Sequence, residues 1–298
     1  MLKKLDDVFD KIKEKETKTI AIVCPESSDS IKVILACLDK NIAKFILVGD
    51  ENTINQALIN ANQDPVNFEI HHESSHKDAA EKAVQLVVSG KANVVMKGDL
   101  HTAVFMRAVL NKEKGLNAGK IMSECTIIEK VQGGGLQCLT DCAMNINPNL
   151  EDKKQIIENA VDLFNKLGVP TPKVALLSAL ELVNPAMPDT IDAAVLCKMA
   201  DRGQIKNAIV DGPLALDIIV SLDAAKKKKI ESPVAGDADI IVAPNMTVAN
   251  AVRKAITFYA GRMTTTTLVG AKAPVVMTSR TEPVEGKLLS IAIAVYTS

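Results

Sequence analysis

Ser279 and Arg280 stand side by side directly after the apolar run PVVMT at 274–278. A hydroxyl and a guanidinium at the carboxyl end of a strand, next to a helix N-terminus, make an anion site. The same residues allow a structural reading. Ser279 with Glu282 fits a Ser-x-x-Glu capping box, and Pro283 suits a first helical turn. Both readings stand at this point. Arg107 lies in HTAVFMRAVL, just past the elbow MKGDL, on a predicted helix whose start Arg107 and Thr102 flank and at whose edge His101 sits. An Arg grips a phosphate bidentately, which a Lys does less specifically. His101 is the one histidine outside the HHESSH segment. It suits a general base, a cap or a hydrogen-bond partner. The lysine run 226–229 reads as a solvated helix end that offsets the dipole, or as a contact for phosphates. The glycines at 133–135 read as a turn or as a phosphate cradle.

Six cysteines (Cys24, Cys37, Cys125, Cys138, Cys142 and Cys197) are scattered without a CxxC pair, and no histidines fall at zinc-finger spacing. They are expected to be buried reduced thiols. Cys138 and Cys142 would share a helix face, but a two-thiol metal site there lacks a neighbouring His. No metal is expected. The dinucleotide pattern GxGxxG, the P-loop GxxxxGK[ST], the elbow GxSxG and the zinc motif HExxH are missing.

The elements that must position these groups follow from periodicity. Short β-branched runs occur at 20–24, 45–48, 94–96, 174–177, 208–210, 240–243, 268–269 and 275–277. Helical patterns at 78–89, 152–167 and 192–199 alternate with them, and an amphipathic N-terminal helix presents Leu5, Val8, Phe9 and Ile12. Near-continuous apolar strands between helices indicate an α/β fold with largely parallel sheets covered on both faces. Nearly every run ends in a small or polar elbow: CPESSD, VGDEN, MKGDLHT, LSALE, VDGPLALD, APNMT, VGAKAP and MTSRTE. Ligands of open parallel sheets bind outside the carboxyl ends of strands, so these elbows predict a site built from several loops.

Composition narrows the function. The chain has 298 residues, 35 Lys+Arg against 36 Asp+Glu, and no Trp. A net charge of -1 and few aromatics exclude a general nucleic-acid binder. The longest apolar run, near 288–295, is too short to span a bilayer, and the N-terminus lacks the apolar stretch of a signal peptide. A cytoplasmic protein that binds neither membrane nor nucleic acid is expected. The length sits where one core begins to split into two.

Longer segments carry a resemblance. These are LTDCAMNINPNLEDK, ELVNPAMPDTIDAAVLCKMADRGQIKNAIVDGPLALD, SPVAGDADIIVAPN, and VGAKAPVVMTSR with a trailing KLLSIAIA. In this order the chain resembles the phosphate acetyl/butyryltransferases, from about MKGDLHTA to the end, and is most similar to their butyryl branch. The resemblance implies two α/β/α domains with an active cleft between them, at 1–137 plus 272–298 and at 138–271. It implies a homodimer or higher homo-oligomer. It also implies the reversible reaction of acyl-CoA with inorganic phosphate to give acyl phosphate and CoA. CoA enters as a co-substrate, and no permanently bound cofactor is implied.

On that resemblance, Ser279 hydrogen-bonds the thiol sulfur or the developing oxyanion, and Arg280 and Arg107 hold phosphoryl oxygens. His101, Thr102, the segment at Asp141, Asn245 and Lys272 are the matching candidates for substrate binding. Two segments depart from the pattern. Gly286 stands where the acetyl branch has the aspartate proposed as base, which leaves Glu285 as the nearest carboxylate, or as a solvated first-turn acid. Ala249 replaces an expected Gly, and the threonines 264–267 replace less polar residues, with the acyl pocket or a subunit contact as the place to feel it. An acetyl- or branched-acyl-preferring enzyme is the alternative within the class. A metal-dependent dehydrogenase of similar fold and a non-catalytic CoA-binding protein are the alternatives outside it.

Overall fold

The computed structural model describes residues 2–132, 134–278 and 282–298. The described strands are β1 (Thr19–Val23), β2 (Lys44–Gly49), β3 (Glu69–His72), β4 (Val94–Lys97), β5 (Ser123–Glu129), β6 (Leu136–Thr140), β7 (Lys173–Leu177), β8 (Ile209–Leu214), β9 (Ile240–Val242), β10 (Thr265–Val269) and β11 (Val275–Val276). The helices are α1 (Asp7–Lys13), α2 (Ser28–Asp39), α3 (Glu51–Asn60), α4 (His76–Val88), α5 (Thr102–Val109), α6 (Leu150–Lys166), α7 (Pro188–Asp201), α8 (Leu216–Val220), α9 (Leu222–Lys228), α10 (Met246–Lys254) and α11 (Val284–Thr297). The architecture is α/β, as the alternating pattern predicts. No described helix is long and apolar enough to cross a membrane.

The chain divides into two compact units, Val8–Lys120 with Gly270–Ser298, and Met1–Asp7 with Ile121–Val269. The boundary expected at 137/138 falls inside β6 instead. In the first unit the sheet is parallel throughout, in the order β3-β2-β1-β4-β11. Four of the five β1 residues are buried, so both faces are covered, and the apolar run is continuous for that reason. The C-terminal α11 buries Leu288, Leu289, Ile291, Ile293 and Val295 and packs on α2 and β11.

In the second unit the order is β10-β5-β6-β9-β7-β8. Here β6, β9, β7 and β8 run parallel, while β5 is antiparallel to both β6 and β10. The reading by apolar runs missed β5 and β6. Their interiors carry Glu124, Thr126, Gln137 and Thr140, all buried. Thr126 donates to Glu124 Oε1 at 2.8 Å, Thr140 to the Glu124 carbonyl at 2.9 Å, and Gln137 to the Ala238 carbonyl at 2.7 Å. Buried polar groups of this kind are tolerated when each finds a partner.

Two more expectations are corrected. Residues 211–214 of the VDGPLALD elbow belong to β8, so that elbow begins at Ala215. Cys138 is on β6 and Cys142 follows it in a loop, so they share no helix face. Thr265, Thr266 and Thr267 are buried strand residues of β10, with Thr266 opposite Thr126 on β5. β-branched Thr suits that pleated, covered position. The lysine run 226–229 does end a helix, α9, where Lys228 reaches Glu181 and Asp217 and Lys227 reaches Asp223.

Candidate active site

In the first unit the elbows after β1, β4 and β11 meet around a cavity of ≈ 300 Å³ lined by Ser27, Ser30, Lys97, Asp99, Thr278 and Lys287. Asp99 organises it. Its carboxylate accepts from the Glu26 N–H (3.0 Å), the Ser27 N–H (2.8 Å) and both the Ser27 and Ser30 hydroxyls (2.8 Å each). Ser27 is also the N-cap of α2, accepting from the Ser30 N–H at 3.1 Å. Gly98 allows this approach. A Cβ there would lie 2.3 Å from the Val23 carbonyl oxygen and 2.7 Å from that of Cys24.

Thr278, in the cavity wall, is the last described residue before Ser279 and Arg280. Those two candidates lie outside the described residues. The helix that follows is described, and its N-cap is Pro283, with Val284 its first residue. The capping box expected at Ser279 is therefore not the start of α11. A proline has no side-chain acceptor, and this N-cap makes no side-chain bond.

Glu285 is exposed in the first turn of α11. Gly286 is buried, and a Cβ on it would lie 3.0 Å from both Cγ and Oε1 of Glu282. The carboxylate beside Gly286 thus belongs to Glu282, which the sequence reading used only as a capping residue.

His101, Thr102 and Arg107 are all exposed. His101 occupies the N-cap of α5 without a side-chain cap bond, and Thr102 is the first helical residue. Arg107 is in the last turn of α5, not at its start. Lys272 is exposed, and its N–H donates to the Leu116 carbonyl at 2.9 Å.

In the second unit Asp141 follows β6 directly, across a cis peptide bond from Thr140. It is buried, 3% exposed. Its Oδ1 accepts from the N–H groups of Glu124 (3.1 Å), Ala143 (3.0 Å) and Met144 (3.0 Å). Its Oδ2 accepts from the Asn145 N–H (3.0 Å) and the Asn145 side-chain amide (2.6 Å). The carboxylate is committed to folding its own loop.

Asn245 caps α10, its Oδ1 accepting from the Val248 N–H at 3.1 Å. It also lines a cavity of ≈ 680 Å³ at the carboxyl ends of β7 and β9, with Lys153, Ser178, Asp189, Asp192 and Val252. Lys153 pairs with Asp192 at 2.7 Å, and Ser178 donates to Asp189 at 2.5 Å. The wall is therefore apolar with a few fixed polar groups, as small-molecule sites are. Sequence reasoning missed Lys153, Ser178, Asp189 and Asp192. The signal lay only in the LSALE elbow and the Pro-Asp helix start.

Known proteins match this architecture closely. The family described as phosphate acetyl/butaryl transferase matches residues 61–295. The chain belongs to that family. It is 44% identical to the phosphate butyryltransferase of Clostridium acetobutylicum over 294 residues, 99% of this chain and 98% of the relative. It is 38% identical to the phosphate acetyltransferase of Rickettsia typhi over 93% of this chain and 79% of the relative. Among solved structures, a branched-chain phosphotransacylase from Enterococcus faecalis V583 superposes with a TM-score of 0.83 at 33% identity, covering 94% of this chain and 99% of that one. This family member carries two sets of strand-end elbows, one in each unit, with a cavity at each.

Proposed function

We propose that the protein catalyses reversible transfer of a short acyl group, butyryl foremost, between CoA and inorganic phosphate. The observation that carries this is the 44% identity to a phosphate butyryltransferase over 99% of the chain. Toward the thioester, the CoA thiol loses its proton, because the thiolate is the nucleophile. It attacks the acyl phosphate carbonyl, and phosphate leaves. Negative charge grows on the carbonyl oxygen and then on the phosphate, so fixed donors and guanidinium groups contribute most.

In this reading Arg280 and Arg107 hold the phosphoryl oxygens, and Ser279 hydrogen-bonds the sulfur or the oxyanion. The start of α5, with His101 and Thr102, offers further donors to an anion. Glu282 is the carboxylate that takes the thiol proton. Its contact with the Gly286 position supports it over the exposed Glu285. Asn245 and Lys272 belong to the surfaces that take the rest of the substrates, and Asp141 acts by holding its loop. Phe258 and Tyr259, 72% and 95% exposed, support the homo-oligomer that the family implies.

The test starts from butyryl-CoA and follows release of the free thiol. Release that requires phosphate supports the proposal. Release that proceeds equally without phosphate marks a thioesterase and overturns it, as does no release at all.

A further inference from the structure

Cys24 and Glu26, in the elbow after β1, and His76, in the first turn of α4, bring together a sulfur, a carboxylate oxygen and an imidazole nitrogen. All three donor atoms lie within 4.8 Å of one another. Glu26 and Cys24 are 50 and 52 positions from His76, so spacing in the sequence shows nothing of it. We propose that Cys24, Glu26 and His76 form a binding site for a divalent transition-metal cation, Zn²⁺ foremost.

The donor set suits that ion. Thiolate, imidazole and carboxylate together favour zinc over calcium or magnesium, which take oxygen ligands. Three protein donors leave the fourth tetrahedral position for water. Zn–S and Zn–N bonds of about 2.3 and 2.0 Å put neighbouring donors roughly 3.5 Å apart. Cys24 is buried, whereas Glu26 is half-buried and His76 exposed. Rotation of the two outer side chains closes the remaining gap onto the fixed sulfur.

The site is also pre-set. Cys24 has φ 49°, an uncommon backbone conformation for a non-glycine residue. Three bonds on both sides hold that stretch: Cys24 N–H to the Val48 carbonyl (2.7 Å), Gly98 N–H to that of Val23 (2.8 Å), and Asp99 N–H to that of Cys24 (2.8 Å). Asp99 anchors the Glu26 N–H at 3.0 Å. Gly49 leaves space for the Glu26 carboxylate, since a Cβ there would lie 3.1 Å from Glu26 Oε1. Ser75, the N-cap of α4, accepts from the Asp78 N–H and so fixes the turn that carries His76. Rigid backbone on two elements is what a metal site needs to hold its ligands in geometry. A bound ion would tie the β1 elbow to α4.

The test titrates Co²⁺ into the metal-stripped full-length protein and reads the thiolate-to-cobalt absorption band, followed by displacement with Zn²⁺. The band is expected in the wild type and in Cys197→Ser, and is expected to be lost in Cys24→Ser. His76→Ala and Glu26→Gln should weaken Co²⁺ at least ~10-fold, the smallest loss seen even for outer-shell partners. Zn²⁺ should raise the melting temperature of the wild type and not of His76→Ala. His76 is exposed, so this variant decides the matter if Cys24→Ser fails to fold. A missing band, a band that survives Cys24→Ser, or Co²⁺ affinity unchanged in His76→Ala overturns the proposal.

Discussion

Replacing Asp141 by Ala distinguishes a loop-holding carboxylate from a ligand-binding one. The carboxylate accepts from four backbone N–H groups and one side-chain amide. The Glu124 N–H is buried within the sheet, so losing its acceptor costs about 1–3 kcal/mol. The other three backbone donors sit in a partly exposed loop and can turn to water, which reduces each loss to roughly 0.5–1 kcal/mol. The sum is roughly 2.5–6 kcal/mol, a large part of the stability of an ordinary domain. Urea unfolding followed by far-UV circular dichroism measures it, since the chain has no Trp to report. The expected result is a large drop in midpoint at an unchanged slope. Asp141→Asn, which keeps one acceptor oxygen, should fall between. A loss below about 1 kcal/mol together with a collapse of kcat/KM would refute the reasoning, because the carboxylate would then serve a ligand.

Arg107→Ala and Arg280→Ala should each cost ~2.7–4 kcal/mol of transition-state stabilisation, about 10²–10³-fold in kcat, with little change in unfolding midpoint. Glu282→Gln should lower kcat and remove the limb of the pH profile that reports the base, while Glu285→Gln leaves both unchanged; the reverse pattern returns the role to Glu285. Cys37 and Cys197 report on the packing. Burial is the main cause that pushes both thiols up to about 12, from an ordinary 9.0. The unfolded chain loses these protons first, so the thiol contribution to stability is whole below about pH 9 and falls away as pH rises toward 12. Alkylation of native protein at pH 8 should accordingly be much slower than alkylation in denaturant, and equal rates would contradict the burial of these thiols.

The inner parallel strands β1, β2 and β4 were legible because each is covered on both faces, whereas the parallel edge strand β3, exposed or half-buried throughout, was missed. β1, β2 and β4 are therefore unbroken apolar runs in the sequence. The antiparallel β5 and β6 were not legible, because their buried Glu124, Gln137 and Thr140 look like surface residues until their partners across the sheet are known. Asp141 illustrates the same limit. One of its donors is 17 residues upstream, and only the fold brings it close. Glu282 was read only as the capping partner of Ser279, although the helix start near Pro283 was legible from the proline; its closeness to Gly286 depends on the folded turn. Ser27, Ser30 and Asp99 were within elbows that the sequence marked, but their convergence depends on β1 and β4 being neighbours in the sheet.

The most direct test of the acyl-transfer reading is a steady-state assay of CoA with acetyl, butyryl and isobutyryl phosphates, following thioester absorbance. The account predicts turnover with all three and the highest kcat/KM for butyryl phosphate. Bound CoA without turnover of any acyl phosphate would contradict it.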